Sequence, residues 1–146
     1  MKILVLNGPN LNLLGLREPE LYGDRNYAAL ERFVRDLAGE LGIELEIHQS
    51  NHEGVLVDKI QAAYGNVDAI ILNAAAYTHT SVAILDALKA VKIPVMEVHL
   101  TEPKAREDFR RRSFVELVAE KTFSGRGFDS YADAIRYAVE KYGRRA

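Results

Sequence analysis

Several side chains in this sequence could move protons, and no thiol is among them. Arg17 and Tyr22 stand five positions apart in a stretch, Gly8 to Asn26, that shows neither helical nor strand periodicity. A phenol titrates near pKa ~10. To act as a general base near neutrality it needs a pKa of about 7 to 8, which is about 3 to 4 kcal/mol of differential stabilisation. A neighbouring guanidinium supplies much of that, because one close opposite charge moves a pKa by roughly one to three units and Arg keeps its own charge. The plainer alternative is a surface tyrosine, with Arg17 paired to Glu18 or Glu20. His99 follows Glu97 by two residues at the end of an apolar run, so in a strand both face one side. A carboxylate that holds one ring nitrogen fixes the tautomer and leaves the other nitrogen to pass a proton, which suits a general acid. The alternative is a histidine that serves structure alone.

Three further groups carry weaker signals. His79 and Asp86 are seven apart, a spacing that predicts two turns along one helix face with Val82 on the apolar stripe between them. Asp86 is then expected to be shielded from solvent, either capping or bridging within the fold or meeting a subunit neighbour. His48 and His52 are four apart, but the pair spans a strand end and a turn, so the helical geometry of a metal pair does not apply. Lys104, Arg106, Arg110, Arg111 and Arg112 form a basic cluster broken by Glu107 and Asp108. Most such charges are solvated, while one or two could clamp a substrate carboxylate with the bidentate fork that Arg provides.

The elements that must position these groups alternate along the chain. Ile3 to Leu6, Glu44 to Gln49, Ala69 to Leu72, Val95 to Val98 and Lys121 to Phe123 read as strands. The first, third and fourth are almost wholly apolar, the mark of strands covered on both faces. Tyr27, Leu30, Phe33, Val34, Leu37 and Leu41 recur at helical spacing, as do Leu56, Ile60, Ala63 and Tyr64, then Val82, Leu85 and Leu88. A last stripe holds Tyr131, Ile135, Ala138, Val139 and Tyr142, with Asp129 or Ser130 placed to cap it. This order predicts right-handed crossovers and an α/β, flavodoxin-like three-layer sandwich with a five-stranded parallel sheet. Residues 1–146 read as a single catalytic domain with a lid loop at about 8–26, since a compact domain rarely keeps so long a structureless stretch without using it.

In such a sheet ligands bind beyond the carboxyl ends of the strands. There the sequence places Asn7-Gly8-Pro9-Asn10-Leu11-Asn12, Ser50-Asn51-His52-Glu53-Gly54, Asn73 with Tyr77-Thr78-His79-Thr80-Ser81, and His99-Leu100-Thr101. Polar loops are common, but their convergence on one edge points to a site.

Composition narrows the function classes. The 146 residues are 48% apolar and carry 19 basic against 21 acidic side chains, a net charge of −2, with no cysteine. Thiol nucleophiles and thiolate metal sites are therefore excluded, and a reducing cytoplasm is the expected compartment. No apolar run exceeds four residues, so no transmembrane span is expected. A pI near 6.1 gives no global basic field for nucleic acid, which makes a small molecule the default partner. There is no Walker A loop and no nucleophile elbow. Gly125-Arg126-Gly127 reads as a strand-to-helix turn, because no βαβ unit remains after it to bind a nucleotide. A flavin or nucleotide module on the same fold is the competing class; the first loop lacks the Ser/Thr-rich phosphate cradle such a module needs.

Taken in order, these motifs resemble the type II 3-dehydroquinate dehydratases. The matching pieces are Asn7 through Gly15, Arg17-Glu18-Pro19 with Tyr22-Gly23, Gln49 through Gly54, Tyr77 through Ser81, Pro94 with Glu97-Val98-His99, and Ala105-Arg106-Glu107 with Phe109-Arg110. The resemblance runs nearly end to end and implies reversible anti dehydration of 3-dehydroquinate to 3-dehydroshikimate through an enolate, without metal or organic cofactor. It implies Tyr22 as base, Arg17 as the group that lowers its pKa, Asn12 as holder of a water on the enolate oxygen, and His99 as acid. Asn73, His79, Arg110 and the backbone at Leu100 and Thr101 match substrate-binding positions, and Asp86 matches one that reaches a neighbouring subunit's site. A homododecamer, a tetramer of trimers, is the assembly it implies, with either aromatic biosynthesis by the shikimate pathway or quinate catabolism as the role.

Three positions depart from the family pattern. Asn73-Ala74-Ala75-Ala76 stands where relatives often carry Asn-Pro-Gly-Ala, and a small backbone adjustment is expected there. Glu102-Pro103 replaces a common Asn with an apolar residue, and the Glu102 side chain is expected to point away from a bound carboxylate. Arg111-Arg112 replaces a common His pair.

Overall fold

Five short runs form the sheet: β1 Lys2–Asn7, β2 Glu44–Gln49, β3 Ala69–Asn73, β4 Val95–His99 and β5 Lys121–Ser124. The computed structural model describes residues 1–16 and 25–143, so Arg17 and Tyr22, and with them residues 17–24 of the expected lid stretch, lie outside the described residues. All four strand pairings are parallel and the order is β2-β1-β3-β4-β5. That is the flavodoxin-like order, whose direction of winding reverses between β1 and β3 and leaves a crevice at their carboxyl ends. Every residue of β3 and β4 is buried, as strands covered on both sides require, and the polar members Asn73, Glu97 and His99 are buried with the apolar ones.

Among the described residues four α-helices cover the two faces: α1 Tyr27–Leu41, α2 Glu53–Ala63, α3 Val82–Val91 and α4 Phe128–Tyr142. Alternation along the strands decides which side each residue serves. Ile3, Val5, Ile71, Met96 and Val98 pack with Leu30 and Val34 of α1 and Tyr131 and Ile135 of α4. Leu4, Leu6, Ile70 and Leu72 pack with Leu56 and Ile60 of α2 and Ile84 and Leu88 of α3. Local capping sets the entries: the Asn26 side chain accepts from Ala29 N at 2.9 Å to start α1, and Ser81 Oγ accepts from Ile84 N at 2.9 Å to start α3.

Three expectations need correction. The cap of α4 is Gly127, at φ 59°, with no side-chain cap bond; Ser130 sits one turn inside, where its hydroxyl accepts from Arg126 N at 3.0 Å. Tyr64 follows α2 rather than joining its stripe and is 70% exposed, because the helix ends at Ala63. His79 and Asp86 do not share a helix: His79 ends a separate 3-10 turn, Ala75–His79, and Ser81 restarts the chain as α3. Val82 is consequently 49% exposed and Asp86 faces solvent.

Candidate functional site

The site is built where β1, β3 and β4 end. Asn7 and Asn73 are register partners at the last rung between β1 and β3, and Gly8 N donates to Asn73 O at 2.8 Å. Only glycine fits there, since a Cβ at Gly8 would lie 2.4 Å from the Ala74 carbonyl oxygen. Below this rung the amides are locked into a buried chain. Tyr131 Oη donates to Asn7 Oδ1 at 2.6 Å, and Asn73 Nδ2 donates to Tyr131 Oη at 2.9 Å. Asn7 Nδ2 in turn donates to Tyr27 Oη at 3.2 Å. Burial is the main reason the Tyr27 phenol is pushed above its ordinary pKa of 10.0, the bond from Asn7 opposing it. Tyr27 is thus held as a neutral phenol.

Above the rung lies a cavity of about 390 Å³. Its wall takes Pro9, Asn10, Leu11 and Leu14 from the loop after β1, Asn73, Ala75, Ala76 and His79 from the end of β3, and His99, Leu100 and Thr101 from the end of β4; Pro103, Arg106 and Arg110 close it. Among the described residues this wall carries two guanidinium groups and two imidazoles and no carboxylate. Such a lining favours an anionic ligand.

The best-defined pair is His99 and Glu97. His99 is 7% exposed and Glu97 1%, and His99 Nε2 lies 2.6 Å from Glu97 Oε2. Glu97 is ionised. Burial alone would raise its carboxyl pKa, but the hydrogen bond and charge of His99, then the hydroxyls of Ser113 and Thr122, outweigh it and hold the group below 4.5. An ionised acceptor makes Nε2 the donor, which leaves Nδ1 as the second proton-carrying position on the ring. His79 is fixed in the opposite sense. Its Nδ1 donates to the Arg112 carbonyl at 2.6 Å, so Nε2 is the nitrogen left to meet a ligand.

Arg110 is braced by a bond from its Nε to Glu107 Oε2 at 2.5 Å, which leaves both Nη groups uncommitted by that contact. The carbonyls of Leu100 and Thr101 accept from Gly127 N at 2.9 Å and Gly125 N at 3.1 Å, fixing the path of the chain as it leaves β4. Behind the His99–Glu97 pair is a second cavity of about 190 Å³ whose wall includes Thr78, Ser113 and Thr122.

Of the residues singled out from sequence, Asn73, His79, His99, Leu100, Thr101 and Arg110 converge on the one cavity. Asn12 does not line it: it is exposed, and its Oδ1 lies 3.3 Å from Gln49 Nε2. Asp86 is on the outer surface of α3, away from the cavity wall. Glu102 lines the second cavity and not the larger one, and its carboxylate accepts from Lys104 N and from the Ser124 hydroxyl. The Ala74-Ala75-Ala76 turn shows the adjustment in an unusual form, with Ala75 at φ 52° and its N–H donating to Asn73 Oδ1 at 3.1 Å. Sequence reasoning missed the two hydroxyls on Glu97. Thr122 was findable, because it is the cross-strand partner of Glu97 once β4 and β5 are aligned. No local pattern marks Ser113. Among the described residues no three His, Asp or Glu side chains gather as a metal ion would require.

Comparison with known proteins gives a consistent result. A family model described as dehydroquinase class II matches residues 1–139. The chain is 57% identical over 138 residues to a 3-dehydroquinate dehydratase of Bordetella avium, covering 94% of this chain and 96% of that one. It is 52% identical over 139 residues to a catabolic 3-dehydroquinase of Neosartorya fischeri, covering 95% and 93%. The crystal structure of a type II dehydroquinase from Butyrivibrio crossotus superposes with a TM-score of 0.92 at 47% identity, covering 94% of this chain and 97% of that chain.

Proposed function

The chain belongs to the class II dehydroquinase family and dehydrates 3-dehydroquinate to 3-dehydroshikimate, and we propose that it does so by an anti elimination through an enolate in the cavity described above. Tyr22, as a tyrosinate kept so by Arg17, removes the proton next to the ketone. Asn12, which stands outside the cavity wall in this structure with its Oδ1 on Gln49 Nε2, turns inward to hold a water against the enolate oxygen, where negative charge appears only along the reaction. His99 then protonates the departing hydroxyl. Arg110, His79, Asn73 and the backbone at Leu100 and Thr101 hold the substrate. No metal or organic cofactor has a part in these steps.

The observation that carries this reading is His99, in the wall of a cavity that among the described residues has cationic and no acidic lining, backed by Glu97 behind that wall. The substrate carries one carboxylate for the cations to grip and one β-hydroxyl that must leave with a proton. His99 has one nitrogen committed to Glu97 and one to spare, which is what a general acid needs. On the same reading Asp86, which faces solvent in the single chain, reaches a neighbouring subunit's site in a homododecamer built as a tetramer of trimers. A cysteine-free chain in which, among the described residues, no helix is long and apolar enough to cross a membrane is consistent with work in the cytoplasm. Either aromatic biosynthesis or quinate catabolism fits, and both general and catabolic enzymes stand among the relatives.

The test follows the rise of enone absorbance on adding 3-dehydroquinate to wild type and to Tyr22→Phe. Turnover should fall by several orders of magnitude with substrate binding largely kept. An unimpaired Tyr22→Phe enzyme contradicts the base assignment.

A further inference from the structure

We propose that Ser113 is a positioning residue for the reaction: its hydroxyl orients the Glu97 carboxylate, and through Glu97 the His99 ring, toward the cavity. The proposal rests on the reading of His99 as the proton donor.

Ser113 Oγ donates to Glu97 Oε2 at 2.7 Å, the same oxygen that receives His99 Nε2 at 2.6 Å. Thr122 Oγ1 donates to the other oxygen at 3.1 Å. A carboxylate left to itself turns easily about its last torsion, which is broad and roughly two-fold. Three donors from three parts of the chain remove that freedom. The direction of the Ser113 hydroxyl is itself set, because Oγ also accepts from Glu116 N at 3.0 Å. With a lone pair so occupied, the single hydroxyl proton is left for Glu97. The serine therefore points one way.

Its neighbours explain why the brace sits at this position. Arg112 lends its carbonyl to His79 Nδ1, and Phe114 N donates to Thr78 O at 2.9 Å. Three consecutive residues thus tie the turn that carries His79 to the strand that carries His99. The Arg112 contact uses main chain only, which accounts for this position accepting Arg in place of the usual His. The Ser113 contact uses a hydroxyl, and only Ser or Thr can supply it there.

The experiment compares Ser113→Ala, Ser113→Thr and His99→Ala with wild type in the enone assay, with thermal midpoints recorded for each. Ser113→Ala should lower kcat about tenfold and leave KM within about twofold, because the brace serves the proton transfer and not the grip on the carboxylate. Ser113→Thr should recover kcat to within about threefold. Wild-type kcat in Ser113→Ala beside an inactive His99→Ala overturns the proposal. So does a Thr variant as slow as the Ala variant, or a loss shared equally by kcat and KM. Wild-type turnover in His99→Ala instead removes the acid assignment itself, and the brace falls with it.

Discussion

Ala75 sits at φ 52° on the cavity wall, in the turn where the family usually has Pro-Gly. The left-handed region brings an L residue's Cβ against the following carbonyl, at a cost of about 1 to 2 kcal/mol that glycine avoids. Ala75→Gly releases that strain. Against it stands the greater freedom of glycine in the unfolded chain, about 0.4 to 1 kcal/mol. The methyl is half-buried, so its loss forfeits about 0.4 kcal/mol, half the value of a fully buried carbon. The balance is a net stabilisation of about 0.5 kcal/mol, or a rise in Tm of about 1 to 2 °C for a chain of this length. So small a gain needs an internal reference. Ala76 is next in the same turn and is not among the positive-φ residues. Ala76→Gly removes no strain and should destabilise by about 0.5 to 1 kcal/mol. The two variants are expected to part by about 1 to 1.5 kcal/mol in opposite directions from wild type. Urea unfolding at one fixed protein concentration measures the difference and keeps any effect of assembly constant. If Ala75→Gly proves as destabilised as Ala76→Gly, the strain assigned to this turn is absent.

Gly8→Ala forces a Cβ to within 2.4 Å of the Ala74 carbonyl oxygen, a backbone atom with no room to yield; it should cost about 3 kcal/mol in urea unfolding and lower kcat as the ends of β1 and β3 separate, and a wild-type midpoint would refute the close approach. Glu97, held below its ordinary 4.5 in the fold, stabilises above that value and loses its contribution as pH falls through the folded pKa. Glu97→Gln should therefore lose about 2 to 4 kcal/mol at pH 7 but lose less than wild type on going from pH 7 to pH 3.5, and parallel pH dependences in urea would contradict the ionised assignment. Tyr131→Phe strands Asn7 Oδ1 and Asn73 Nδ2 in a buried setting; a loss of about 2 to 3 kcal/mol with a raised KM is expected, and an unchanged KM would show that Asn73 does not depend on the tyrosine for its placement.

How much could be read from the sequence depended on the range of the signal. The strands were legible because short apolar runs such as Ala-Ile-Ile-Leu at 69–72 fall between turn signals, and their alternation with helical stripes pointed to a parallel sheet covered on both faces. The His99–Glu97 contact was legible from a spacing of two, since strand geometry puts both on one face. Where the reading failed, a local pattern met a chain break that it could not register. Val82 looked like part of an apolar stripe from His79 to Asp86, but Ser81 caps a new helix and turns that stripe outward. Asp129 and Ser130 are good capping types, but Gly127, free to adopt φ 59°, starts α4 first and leaves the serine inside. Ser113 was invisible for a different reason: its partner lies 16 positions away, and nothing in between has a period.

Asn73 shows how the buried network and the cavity divide one side chain. An amide offers two N–H donors and two acceptor positions. Tyr131 takes one donor and Ala75 N takes one acceptor position. One of each remains, and with Asn73 nearly buried they can be offered only through a small window in the cavity wall. A hydroxyl, which both donates and accepts, is the group that satisfies this remainder; a carboxylate would leave the N–H served and the oxygen repelled. The opposite requirement holds at Arg110, whose Nη groups the Glu107 contact leaves uncommitted and which favours a charged acceptor. On the proposed reading the cavity therefore meets a substrate hydroxyl at Asn73, where β3 ends, and the carboxylate at Arg110, in the segment after β4, with His99 in the same wall.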